Sequence, residues 1–144
     1  MTPELLFQWV NPMALAGWLA LACLPLAPRF LGAAASTVVP LLLSTAYAAL
    51  VLAFWSSSTG GFGSLDAVAR LFENRWLLLA GWVHYLAFDL LIGAWEARTA
   101  RREGMAHGLL LPCLAVTFLF GPAGYLLFQA LRLSLKSRPA RAGA

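Results

Sequence analysis

Residues 76–95 read Trp76-Leu-Leu-Leu-Ala-Gly-Trp-Val-His-Tyr-Leu-Ala-Phe-Asp-Leu-Leu-Ile-Gly-Ala-Trp95, twenty residues between Arg75 and Glu96 with a single charge, Asp89. A helix of ~20 apolar residues crosses ~30 Å of hydrocarbon. Helix is the form expected, because a segment in lipid must satisfy its own backbone groups. The same pattern recurs outward from this stretch. There are 24 uncharged residues between Glu4 and Arg29, 36 between Arg29 and Asp66, and 28 between Glu103 and Arg132. The reading is therefore an all-α polytopic membrane protein with four transmembrane helices in a bundle, at about 5–27, 33–55, 76–95 and 108–131. Residues 1–132 form the transmembrane domain, and 133–144 a basic, flexible tail.

Composition agrees. The 144 residues are 61% hydrophobic and 11% charged, with mean hydropathy +0.77. Soluble domains run near ~25% charged, so a water-soluble globule is excluded as the default. Two Cys cannot staple a disulfide scaffold, and Cys23 and Cys113 read as apolar packing residues. The net charge of +4 is not a nucleic-acid signal, because the basic residues sit at the edges of apolar runs, where membrane proteins place them. Neither Cys nor His falls at metal-ligand spacing, so no metal is expected.

The connections carry their own signals. Residues 28–32 are too few for anything but an antiparallel return. Ser56-Ser-Ser-Thr-Gly-Gly-Phe-Gly63 reads as loop. Ser64 is placed to cap a short helix with Asp66 in its first turn. Leu65, Val68, Ala69 and Phe72 recur at helical spacing, which predicts a short amphipathic helix in the membrane interface. Residues 96–107 form a short charged third connection. The first residues lack the basic region of a signal peptide, so helix 1 is kept in the mature protein. Four spans put both termini on the side of the second loop, with six basic residues against four. The excess of basic residues places both termini in the cytoplasm.

Polar residues inside the spans are the candidate site. Asp89 sits mid-span, where a carboxylate costs ~2.5–3.5 kcal/mol on insertion scales. Tyr85 lies one turn before it on the same face, and Trp82 extends that stripe. His84 is five residues away, ~140° around the helix, so it pairs with Asp89 only across a cavity. In helix 4, Pro122 removes a helical donor and Gly121 permits a kink. Thr117 is placed to satisfy the freed backbone or to offer its hydroxyl to Asp89. Asn11-Pro12 offers an alternative start for helix 1, since the residue before Pro avoids the helical region.

Two stretches carry a resemblance. Trp82-Val-His-Tyr-Leu-Ala-Phe-Asp-Leu-Leu-Ile-Gly93 and Pro112-Cys-Leu-Ala-Val-Thr-Phe-Leu-Phe-Gly-Pro-Ala-Gly124 are similar to the family of the plant abscisic-acid-deficient 4 protein, the neoxanthin-synthesis factor. The resemblance implies an integral membrane protein acting on a carotenoid or related isoprenoid, and its plant members are needed to open an epoxide and create an allene. Nine Arg against one Lys and the missing plastid leader imply a bacterial member in the inner membrane.

On this reading the catalytic set is Asp89, His84 and Tyr85. Asp89 is the proton donor, since burial disfavours the ionised form of a carboxyl. Tyr85 orients it, and His84 accepts a proton elsewhere. Trp82, Phe88, Thr117, Phe118, Gly121 and Pro122 face the ligand. An isomerisation exchanges no electrons, so no cofactor is required. Whether the chain is an enzyme stays open. The alternatives are a non-catalytic carotenoid- or lipid-binding accessory protein and, third, a small transporter component. The partners are the lipid bilayer and the isoprenoid, with no nucleic acid, and homo-oligomerisation is left open.

Overall fold

The structure, a computed structural model, describes residues 2–136. These residues are helical throughout, apart from short connections. Helix α1 runs Pro3–Ala22, α2 Pro28–Ala33, α3 Val39–Phe54, α4 Leu65–Glu73, α5 Arg75–Arg102, α6 His107–Phe120 and α7 Pro122–Lys136. A wide turn at Ala34–Val38 joins α2 to α3. It precedes Pro40, whose missing N–H interrupts the regular ladder. Three continuous helices are long and apolar enough to cross a membrane: Pro3–Ala22, Pro28–Ser57 and Arg75–Arg102.

Local chemistry sets the helix ends. The Thr2 hydroxyl accepts from the Leu5 amide (3.3 Å), and Pro3 takes the first turn, where no N–H is needed. Asn11-Pro12 is not the start of α1, which passes straight through Pro12. The Asn11 side chain donates to the Phe7 carbonyl (2.6 Å). Ser64 caps α4 through the Ala67 amide (3.1 Å), as expected, and Asp66 lies in its first turn. Of the predicted stripe, Leu65 and Ala69 face outward and Val68 is half-buried, while the Phe72 ring packs over Gly81 and Leu71 is buried. Asn74 caps α5, accepting from the amides of Trp76 (2.9 Å) and Leu77 (3.4 Å), and ties it to the Ser57 hydroxyl (3.0 Å).

Helix α5 is the centre of the molecule. Thirteen of its residues are buried, more than on any other element. Helices α1 and α3 pack along it, and α1 approaches closely where the Trp18 indole covers Gly93. A Cβ at Gly93 would come within 2.7 Å of that ring. Large apolar side chains elsewhere face outward, among them Leu52, Leu41, Leu119 and Phe120. In lipid such faces cost nothing, and helix association rests on packing and interhelical hydrogen bonds.

The expected fourth span, 108–131, is not one helix. It breaks at Gly121, the junction of α6 and α7, where φ is +34° and ψ −91°. Beyond it the chain turns back. A Cβ on Gly124 would fall within 2.2 Å of the Thr117 backbone nitrogen, so α7 lies directly on α6. Helix α6 runs antiparallel to α5, its Thr117 meeting Glu96 and its Phe118 and Leu119 carbonyls meeting Tyr85. Helix α7 returns parallel to α5. Tyr125 and Phe128 pack on Trp95, and Arg132 and Lys136 reach Glu103. The two are a helical hairpin with its tip beside Asp89, midway along α5. Its open end lies at the Arg102 end of α5.

Two further expectations change with this. The two described chain ends lie at opposite ends of α5. Glu4 pairs with Arg75 at one (2.5 Å), and Lys136 with Glu103 at the other (3.0 Å). Four crossings would have put them at the same end. The third connection shrinks to 103–106, because α5 continues two turns past Glu96. Residues 133–136, expected to begin a flexible tail, continue α7. The rest of that tail, with Arg138 and Arg141, lies outside the described residues.

Candidate functional site

The hairpin tip and the middle of α5 build one site. Gly121 holds its backbone against the Asp89 carboxyl, and a Cβ there would lie 2.5 Å from Oδ1. Asp89 is 9% exposed, and its buried Oδ2 has no hydrogen-bond partner. Native interiors rarely leave such an atom unsatisfied, and exceptions merit a functional explanation. Tyr85, one turn earlier, donates to the carbonyls of Phe118 (3.2 Å) and Leu119 (3.1 Å). These carbonyls end α6 and lack their helical donors, so Tyr85 fastens the hairpin tip to α5. The same hydroxyl lies within interaction range of Asp89.

Thr117 does not go to Asp89. Its hydroxyl meets both oxygens of Glu96, at 3.0 and 3.1 Å. Glu96 is fully buried, an acid that the charge pattern had assigned to a connection. It lies seven residues after Asp89, and Glu103 lies seven after that. At 3.6 residues per turn, such spacing keeps all three on one face. That face meets the hairpin at its tip, its middle and its open end.

His84 and Phe88 stand elsewhere on α5. Their rings stack on each other (4.5 Å), and His84 packs beside Tyr47 of α3 (5.4 Å). Both side chains are exposed, and His84 has no contact with Asp89 among its described interactions. Trp82 does join the site. Its indole N–H donates to Asn11 Oδ1 (2.9 Å), and its ring sits between Phe7 (5.8 Å) and Tyr85 (5.3 Å). Phe118 packs edge-on against Trp18 (5.5 Å). Pro122 opens α7 directly behind Gly121, where its missing N–H costs nothing. Cys113 is buried as expected, whereas Cys23 is exposed at the end of α1. Among the described residues no three His, Cys, Asp or Glu side chains gather as a metal site.

Two grooves lie in line between α1 and α5. One, of about 520 Å³, is lined by residues including Glu4, Phe7, Gln8, Arg75 and Trp82. The other, of about 450 Å³, runs from Asn11 and Trp82 to Tyr85, Phe118 and Leu119. Trp82 lines both. Laid end to end, with Trp82 bonded across to Asn11 at their junction, they make a largely apolar trough of two parts from the Glu4–Arg75 pair toward the hairpin tip, a rise of ~16 Å along α5 at ~1.5 Å per residue.

Fold and site thus define an all-helical protein with three helices long and apolar enough to cross a membrane, and with a carboxyl group held in its interior behind Tyr85, which lines the inner end of the grooves. The chain belongs to the ABA DEFICIENT 4-like family, whose model matches residues 5–128. No match was found among curated proteins, and none among solved structures.

Proposed function

We propose that the protein binds a carotenoid or related isoprenoid along the α1–α5 trough and that Asp89 acts as an acid on the end group of that ligand. The single observation that carries this is the unpartnered, buried Oδ2 of Asp89 beside the hairpin tip. Family membership supports the ligand class. The trough supports an elongated, apolar shape with few polar contacts, as small-molecule sites generally have. Asn11 fixes the Trp82 ring, which would stack on the chain of the ligand. Tyr85 lines the end of the trough and reaches Asp89. A protonated Asp89 would donate to an end-group oxygen, and the same carboxyl would take a proton back when the product forms. The net exchange is zero, which suits an isomerisation.

A second reading keeps the ligand and drops the chemistry. It is favoured by the commitment of the Tyr85 proton to two backbone carbonyls. Asp89 would then only orient a hydroxyl, and the chain would be an accessory binding protein.

The same proposal includes a placement in the membrane. It comprises three full crossings, a re-entrant hairpin and α4 lying in the interface with its outward Leu65. Arg29, Arg98, Arg101, Arg102, Arg132 and Lys136 belong to one end, and Arg70 and Arg75 to the other. Positive-inside bias then favours a cytoplasmic hairpin opening and an N-terminus on the far side, in a bacterial inner membrane. Extraction in mild detergent, followed by absorption spectroscopy and lipid mass spectrometry, tests the ligand. A co-purifying isoprenoid that Trp82→Ala loses is the expected result. Purified protein free of isoprenoid, from cells that make it, would oppose both readings.

A further inference from the structure

At the end of the bundle where the hairpin opens, α1, the start of α2 and the end of α5 enclose a cleft of about 200 Å³. Arg29, Arg98 and Arg101 all line it. Its floor is apolar and built of buried Leu21, Leu24 and Ala97. None of the three guanidinium groups has an ion pair or hydrogen bond among the described residues. The neighbouring acids are committed. Glu103 holds Arg132 and Lys136, and Glu96 is buried under Thr117. The Ser36 hydroxyl at the rim already donates to the Gly32 carbonyl (2.7 Å). The cleft therefore offers three fixed positive charges and no internal anion.

Like charges that share a cleft repel, and an external anion relieves that repulsion. Guanidinium groups present paired N–H donors that match the oxygens of a phosphate. The depth decides which phosphate. Arg29 stands next to the first residue of α2, and Arg101 in the last turn of α5. Both positions are where spanning helices leave the hydrocarbon and lipid headgroups begin. The apolar floor continues from the arginines toward the hydrocarbon, as an acyl chain requires. Basic pockets between membrane helices recognise anionic headgroups in this way.

We infer that the Arg29–Arg98–Arg101 cleft is a binding site for the phosphate of an anionic phospholipid. It lies at the opposite end of the bundle from the mouth of the trough, and it does not depend on the proposed chemistry at Asp89.

Native mass spectrometry of the full chain tests this, after exchange into micelles containing phosphatidylcholine, phosphatidylglycerol and cardiolipin. The wild type should retain an anionic lipid at least tenfold over phosphatidylcholine. Arg29→Gln/Arg98→Gln/Arg101→Gln should lose that preference, while Arg102→Gln, which removes one positive charge outside the cleft, should keep it. Thermal unfolding in phosphatidylcholine alone verifies that the triple variant is folded. Absence of preference in the wild type, or an unchanged preference in the folded triple variant, overturns the site. Inorganic phosphate added at millimolar concentration should not displace the lipid. Displacement, with phosphate bound in lipid-free micelles by the wild type only, overturns the lipid assignment in favour of a free anion.

Discussion

Asp89 and Gly121 are in direct contact, a carboxyl on α5 against the backbone at the tip of the α6–α7 hairpin, with room for no atom between them. The contact requires glycine twice. A side chain would meet Oδ1 at 2.5 Å, and φ of +34° with ψ of −91° lies where L residues are strained. Gly121→Ala should cost about 1–3 kcal/mol from the backbone strain alone. Removing the carboxyl as well, in Gly121→Ala/Asp89→Ala, should recover only the clash. Thermal unfolding in detergent measures both. Equal stability of Gly121→Ala and wild type would contradict the hairpin tip as described.

The open end of the hairpin is held by charge. Hydrogen bonds from Arg132, and then from Lys136, push the Glu103 carboxyl down to about 2. A lowered folded value means that the contribution is complete above the ordinary glutamate value of ~4.3. It is lost as pH falls from there through about 2. The wild type should therefore lose more thermal stability than Glu103→Gln between pH 6 and pH 3. Both are compared in the same detergent, and parallel curves would refute the clamp.

Thr117 and Glu96 form a bond between two helices inside the bundle. Interhelical hydrogen bonds in membranes average ~0.6 kcal/mol and reach ~1.7. Glu96 has no other described partner, so Thr117→Val should fall at or above the upper figure. Glu96→Gln, which keeps an acceptor for the hydroxyl and removes an ionisable group, should leave stability unchanged or raised. A double-mutant cycle reads the pair. Zero coupling would mean that the contact contributes nothing.

The re-entrant hairpin makes a topological prediction. In a Cys23→Ala/Cys113→Ala background, single cysteines at Thr59, Met105 and Ser134 are exposed to an impermeant thiol reagent in sealed vesicles. Positions 105 and 134 should label from one side and position 59 from the other. A fourth full crossing would separate 134 from 105.

Parts of this arrangement could be read in advance. Runs without charge located α1, α3 and α5, because lipid imposes length and apolarity on any crossing helix. Ser64 and Asp66 announced α4 through cap chemistry, which is local. The hairpin was not legible in the same way. Residues 108–131 have the length of one span, and the return of α7 is a tertiary event. Its trace in sequence was Gly121-Pro122 with Gly124 close behind, read as a kink. Glu96 was missed because a carboxylate was taken to mark the end of a span. The seven-residue step from Asp89 was the signal that placed it on the interior face. His84 and Phe88 belonged to the conspicuous motif, yet lie on the flank facing α3. Adjacency in sequence does not survive the 100° turn per residue of a helix.

The central claim is that Asp89 supplies the proton at the end of the trough. The direct test is a carotenoid-producing host, including one that makes epoxidised carotenoids, expressing wild type or Asp89→Asn. Products are analysed by chromatography and mass spectrometry, and bound isoprenoid is measured on the purified proteins. Both proteins should fold and retain ligand, and a new isomer should accumulate with the wild type alone, at least a hundredfold above the variant. Equal accumulation of that isomer with Asp89→Asn would contradict Asp89 as the source of the proton.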